Sequence, residues 1–93
     1  MLYIIVYDIP GDRRRARLAK VLEGFGQRVQ GSVFECDLTD RQYAVLRRRL
    51  AKIVRADEGD SLRTYRLCAN CAATVDVIGN GPPVATSIDT YII

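Results

Sequence analysis

Asp8 closes an apolar N-terminal stretch, LYIIVYD, and the densest run of cations in the chain follows it: Arg13, Arg14, Arg15 and Arg17. A carboxylate beside guanidinium groups has two chemistries open to it. It can serve as a turn cap or an ion-pair partner, or it can hold a hard, oxygen-coordinated cation such as Mg²⁺ or Mn²⁺ while the arginines grip phosphate. The chain contains no histidine. That absence removes Ser-His-Asp and Cys-His nucleophilic catalysis, imidazole acid–base chemistry and the commonest zinc ligand. One carboxylate is a sparse ligand set, but a dimer twofold axis near the strand end would set two copies of Asp8 face to face, each chain supplying one ligand. An ion held there would activate water against a phosphodiester.

The arginines sit in the first turns of a predicted helix, where each cation opposes the positive end of the macrodipole at a cost of a few tenths to about 1 kcal/mol. Bound phosphate would relieve that cost, and so would solvation aided by Asp8 and Asp12. Gly31-Ser32 with Phe34 offers backbone amides, a hydroxyl and a ring to a nucleic acid, or else a glycine bulge with Phe34 in the core. Cys68 and Cys71 have the spacing of half a zinc ribbon, yet Cys36 is the only other thiol. Zinc is therefore not expected. Redox chemistry would need the pair at the start of a helix; no predicted β-α-β context supplies one, and the pair reads as strand and turn.

Ninety-three residues suffice for one domain with one core, close to the size at which small folds gain from pairing. The net charge is +3, and every Lys and Arg precedes Cys68. Of the 14 cations only Lys20 and Lys52 are lysine, a bias toward the residue that binds phosphate bidentately. Nucleic acid, DNA or RNA, is the partner class this favours, although a basic solvated face has the same composition. No secretory leader pattern and no bilayer-length apolar run is present, so a cytoplasmic protein with no membrane partner is expected.

The elements that must position these residues follow from periodicity. LYIIVYDI reads as a central strand buried on both faces, stopped by Pro10-Gly11. Leu18, Val21, Leu22 and Phe25 mark an amphipathic helix from Asp12, with Gly26 as its stop. A short strand over Arg28 to Gln30, a turn or bulge at Gly31-Ser32 and a strand over Val33 to Leu38 form a hairpin. Thr39 and Gln42 make a capping box for a second helix carrying Tyr43, Leu46, Leu50, Ile53 and Val54, and SLRTYRLC alternates as a half-exposed strand. The order is β-α-β-β-α-β, a ferredoxin-like α+β domain with both helices on one sheet face. TVDVIG reads as a further short strand. The closing ATSIDTYII reads as a last strand that needs an edge to pair with. The expectation is one domain over 1–93, with about 72–93 as a dimerisation segment whose strand is exchanged in a homodimer.

YDI, then RRRARLAKVLEGFG, RVQGSVFECDL, a second Arg-rich helix, YRLC and VIG together resemble the CRISPR-associated protein two family over essentially the whole chain. The resemblance implies a ferredoxin-like homodimer sealed by strand exchange, with Mg²⁺-dependent endonuclease activity on single-stranded RNA or double-stranded DNA. It also implies spacer acquisition with the CRISPR-associated integrase, protein one, either as a nuclease or as a non-catalytic scaffold for foreign DNA. By the same resemblance Asp8 is the metal-binding and catalytic residue, preceded by Tyr7; Arg15, Arg17 and Arg28 are motif arginines, and Ser32 and Phe34 belong to the hairpin motif. With Arg13 and Arg14 these form the expected nucleic-acid-binding set. A toxin-like RNase or a small regulator would share the fold but lack the integrase.

Overall fold

The computed structural model describes residues 1–85. Strand β1 (Leu2–Asp8), helix α1 (Asp12–Glu23), strands β2 (Gln27–Gln30) and β3 (Val33–Asp37), helix α2 (Asp40–Ala51), strand β4 (Ser61–Leu67) and a single helical turn α3 (Ala69–Ala72) follow in order. The strands form one antiparallel sheet in the order β2-β3-β1-β4. This is the expected ferredoxin-like arrangement.

Alternation along β1 decides the architecture, because successive side chains point to opposite faces. Tyr3, Ile5 and Tyr7 face the helices and pack with Phe34 and Cys36 of β3, Leu18 and Leu22 of α1, and Leu46 and Leu50 of α2. Ile5, Phe34, Leu18, Leu22 and Leu46 are fully buried. Ile4 and Val6, on the other face, are only half-buried. The expectation of a strand buried on both faces is therefore corrected: helices cover one face of β1, and among the described residues no element of that size covers the other. The tail beyond α3 crosses part of this open face, where the Ala85 N–H donates to the Glu35 carboxylate (3.0 Å) and the Gln27 side-chain amide donates to the Pro83 carbonyl (2.7 Å).

Local signals explain most boundaries. Thr39 and Gln42 form a complete capping box at the start of α2, satisfying two orphan amides. Helix α1 ends with Gly24 rather than Gly26. Gly26 instead permits close approach of the α1–β2 connection to β3, since a Cβ there would collide with the Glu35 carbonyl and the Cys36 side chain. Gly59 adopts φ 84° and lies against Pro10. It lets the loop before β4 turn sharply onto the loop after β1.

Two expectations fail near the C-terminus. CANC is not strand and turn: Cys68 caps α3. TVDVIG is not a strand but irregular chain. The turn of α3 runs on to Val75, whose N–H donates to the Ala72 carbonyl. Gly79, at φ 95°, then bends the chain, and Pro82 and Pro83 lack the N–H groups a ladder needs. The last expected strand falls almost wholly on residues outside those described. No helix among the described residues is long and apolar enough to cross a membrane.

Candidate active site

The geometry of the site begins at one end of the sheet. Antiparallel pairing brings the C-terminal end of β1, the start of β4 and the β2–β3 turn together: Asp8 pairs with Ser61, Val6 with Val33, and the Tyr7 N–H donates to the Ser32 carbonyl at 3.1 Å. By alternation Asp8 shares the open face with Val6, and Ser61, Arg63 and Tyr65 of β4 share it too. A cavity of about 320 Å³ is lined by Val6, Tyr7, Asp8, Ser61, Leu62, Arg63 and Tyr65. Arg63 donates to the Tyr65 hydroxyl at 3.2 Å, and Tyr65 remains 49% exposed. Asp8 is exposed and has no hydrogen-bond or ion-pair partner among the described residues.

A free carboxylate beside an exposed guanidinium and a phenol can present oxygen to a cation while a cation-bearing neighbour takes phosphate. The donor set suits a hard ion that keeps most of its water. No group of three or more potential metal ligands exists among the described residues, so an ion at Asp8 would depend on ligands beyond those described residues.

The remaining expected residues divide into three groups. Tyr7 and Phe34 belong to the core, 4% and 0% exposed, with rings tilted at 6.3 Å. A ring with no exposed surface cannot stack on a base, so Phe34 acts from beneath, carrying the Arg28 guanidinium 5.1 Å above it. Arg28 also donates to the Gly31 carbonyl (2.7 Å) and lies 4.0 Å from Glu23. This bond stiffens the hairpin turn that holds Ser32.

Arg14 and Arg15 are engaged within the chain. Arg14 makes a two-pronged contact with the buried Asp60 (2.8 and 2.9 Å), which also accepts from the Arg55 N–H at 2.9 Å. The Arg14 guanidinium holds the Asp60 carboxyl below the usual carboxylate range. Arg15 donates to the Ile9 carbonyl at 3.0 Å and bonds Asp12, bracing the loop immediately after Asp8. Two of the cations that oppose the α1 macrodipole are thus compensated by carboxylates of the protein itself. Arg13 and Arg17 are exposed and have no acidic partner among the described residues. They lie on the helix layer, on the opposite face from Asp8.

Sequence reasoning does not single out Ser61, Arg63 and Tyr65. Their signal is present in two parts: the alternation of SLRTYRLC, and the ferredoxin-like rule that the last strand flanks the first. Only the register, with Ser61 opposite Asp8, joins them to the site.

A four-stranded antiparallel sheet backed by two helices, with an exposed carboxylate at the end of its central strand, defines a small ferredoxin-like α+β protein. The family model for CRISPR associated protein Cas2 matches residues 1–75. A "CRISPR-associated endoribonuclease Cas2 1" of Chloroflexus aurantiacus is 55% identical over 93 residues, 100% of both chains. The Cas2 structure from Streptococcus pyogenes at pH 6.5 superposes with a TM-score of 0.74 at 36% identity, over 85% of this chain and 100% of that one. A chain of a partial Cas6-RT-Cas1–Cas2 complex superposes at 0.70 with 31% identity, over 83% and 89%. The chain belongs to the Cas2 family of CRISPR-associated proteins.

Proposed function

We propose that this protein is a metal-dependent endonuclease of CRISPR adaptation that works as a homodimer on RNA or DNA. One observation carries the reading: Asp8 is an unpartnered carboxylate at the mouth of a cleft on the open sheet face, with Arg63 and Tyr65 beside it. The name of the Chloroflexus relative, an endoribonuclease, supports phosphodiester cleavage. Asp8, together with its copy from a second subunit, would hold Mg²⁺ or Mn²⁺, which supplies Lewis-acid and water-activating chemistry when bound. Arg63 draws a substrate phosphate toward Asp8, Tyr65 offers a ring to the flanking base, and Arg15 keeps the loop after Asp8 in place. The half-buried Ile4 and Val6 give the open face the apolar centre that a second copy would cover.

The decisive comparison is cleavage of single-stranded RNA and of double-stranded DNA, with Mg²⁺ and with EDTA, by the wild type and by Asp8→Asn. Loss of cleavage in the variant and in EDTA is expected. Equal cleavage by both proteins would overturn the metal reading.

A second reading is favoured by a separate observation. The helix layer exposes Arg13, Arg17, Lys20, Arg41, Arg48 and Lys52, far more cation than a one-carboxylate site needs, and a structural neighbour is a complex of Cas1 with Cas2. On this reading the protein is a scaffold that joins the integrase Cas1 to foreign DNA through its phosphate backbone. Asp8→Asn would then leave spacer integration by Cas1 intact, whereas Arg13→Ala with Arg17→Ala would impair it.

A further inference from the structure

The nuclease reading leaves the CANC segment unused. Cys68 and Cys71 lie at the far end of β4 from Asp8, since Leu67 pairs with Leu2 whereas Ser61 pairs with Asp8. Both thiols are exposed, and both are free. They stand one helical turn apart, a separation at which Cβ atoms come within about 5–6 Å. The Cys71 N–H points at the Cys68 sulfur, 3.5 Å away. A disulfide needs Cβ atoms about 3.5–4.5 Å apart, so a slight tightening of this single turn, together with side-chain rotation, closes the bridge.

The surroundings separate the two sulfurs in reactivity. Hydrogen bonds from the Cys71 backbone N–H, and then from its thiol, hold Cys68 below the ordinary thiol range, while donating to Cys68 pushes Cys71 up. The first is the better thiolate at neutral pH and the second the reserve nucleophile. Cys36 contrasts with both. It is fully buried between sheet and helices, and burial pushes it up to about 11. No third metal-ligating side chain joins the pair among the described residues, so its two-sulfur chemistry is disulfide exchange rather than a closed tetrahedral metal site.

We propose that Cys68 and Cys71 are a redox-active dithiol that forms an intramolecular disulfide reversibly by exchange with low-molecular-weight disulfides of the glutathione class. The Cys68 thiolate attacks one sulfur of the small disulfide, forming a mixed disulfide and expelling one small thiolate. Cys71 gives its proton to solvent and attacks the Cys68 sulfur. The Cys68–Cys71 bond forms, the mixed bond breaks, and a second small thiolate leaves. The protein pair has lost two electrons and two protons, and the small disulfide has become two thiols. Reduction runs the same steps backward. The bridge would lock the turn from which the tail over 73–85 departs toward Gln27 and Glu35.

The test uses the full chain in buffers with graded ratios of reduced to oxidised glutathione, followed by alkylation and peptide mass spectrometry. Cys68 and Cys71 are expected to lose alkylation together and to appear as one peptide lighter by two hydrogens. Cys36 stays unmodified in the folded protein, and dithiothreitol restores the pair. Under limiting alkylating agent, Cys68 should react faster than Cys71. In Cys71→Ser, a glutathione adduct should accumulate on Cys68. Full alkylation of both residues in excess oxidised glutathione would overturn the proposal, as would an adduct on Cys71 in Cys68→Ser that forms as fast as the adduct on Cys68 in Cys71→Ser.

Discussion

The two faces of this sheet are built from the same strands and have different fates. On the covered face every second residue of β1 is apolar and closed over by Leu18, Leu22, Leu46 and Leu50. On the open face the same strand offers Ile4 and Val6, half-buried, and ends in an exposed Asp8 beside Arg63 and Tyr65. A face already closed by its own helices serves stability alone. Among the described residues the open face keeps both an apolar centre and an unpaired carboxylate, the two features on which the proposed second subunit and substrate would act.

Damage to the covered face should therefore show in folding before anything else. Phe34→Ala empties a fully buried site and removes the ring under Arg28; a loss of about 3–5 kcal/mol is expected, measurable as a drop in the urea midpoint. Gly26→Ala, which drives a methyl group into the Glu35 carbonyl and Cys36, should cost about 1–3 kcal/mol by overpacking. On the open face the pattern inverts. Asp8→Asn should change stability by less than about 0.5 kcal/mol, as an exposed substitution does. Metal-dependent cleavage should fall by about 10²-fold or more, the scale on which acid–base and electrostatic groups act. A parallel fall in stability and cleavage for Asp8→Asn would erase the distinction between the faces.

That distinction also explains what can be read from the sequence. The covered face is legible because burial writes itself as periodicity: Leu18 and Leu22 on one helix, Leu46 and Leu50 on the other, and the Thr39–Gln42 capping box all appear where local rules put them. Asp8 is legible through its position at a strand end. Ser61, Arg63 and Tyr65 are not, because their place beside Asp8 depends on the β1–β4 register, a pairing made across more than fifty residues of chain. The compensation of Arg14 by Asp60 is hidden for the same reason. What looks in the sequence like a row of equivalent cations is, in the fold, two structural arginines and two free ones. CANC conceals its helical turn because four residues are too few to show a helical period.

The free arginines set a smaller, graded effect. Arg13→Ala with Arg17→Ala should weaken nucleic-acid binding uniformly across sequences and reduce the slope of log affinity against log salt by about 1 for each phosphate no longer neutralised. Arg14→Ala should instead act through folding, since its guanidinium is engaged by Asp60. Measurement of both the salt slope and the urea midpoint separates these arginines. An unchanged slope in the Arg13/Arg17 variant would remove the helix layer from the binding surface and leave the open face as the sole contact.

The smallest effect is a difference between two pH values, and it follows from the sign of the Asp60 shift. Arg14 holds the folded-state carboxyl below its ordinary value, so the unfolded chain takes up the proton more readily than the native one. The stabilisation is therefore complete above the ordinary carboxylate pKa, about 3.9. It is lost as pH falls through the lower folded value. Asp60→Asn removes the titrating group: the variant should melt below wild type at pH 7, and the gap should narrow steadily as the pH is lowered below about 4. Thermal melts of both proteins across that window read the effect directly. A gap that stays constant with pH would mean that the carboxyl acts by packing and neutral hydrogen bonds, and that the loop before β4 is held against α1 without help from the ion pair.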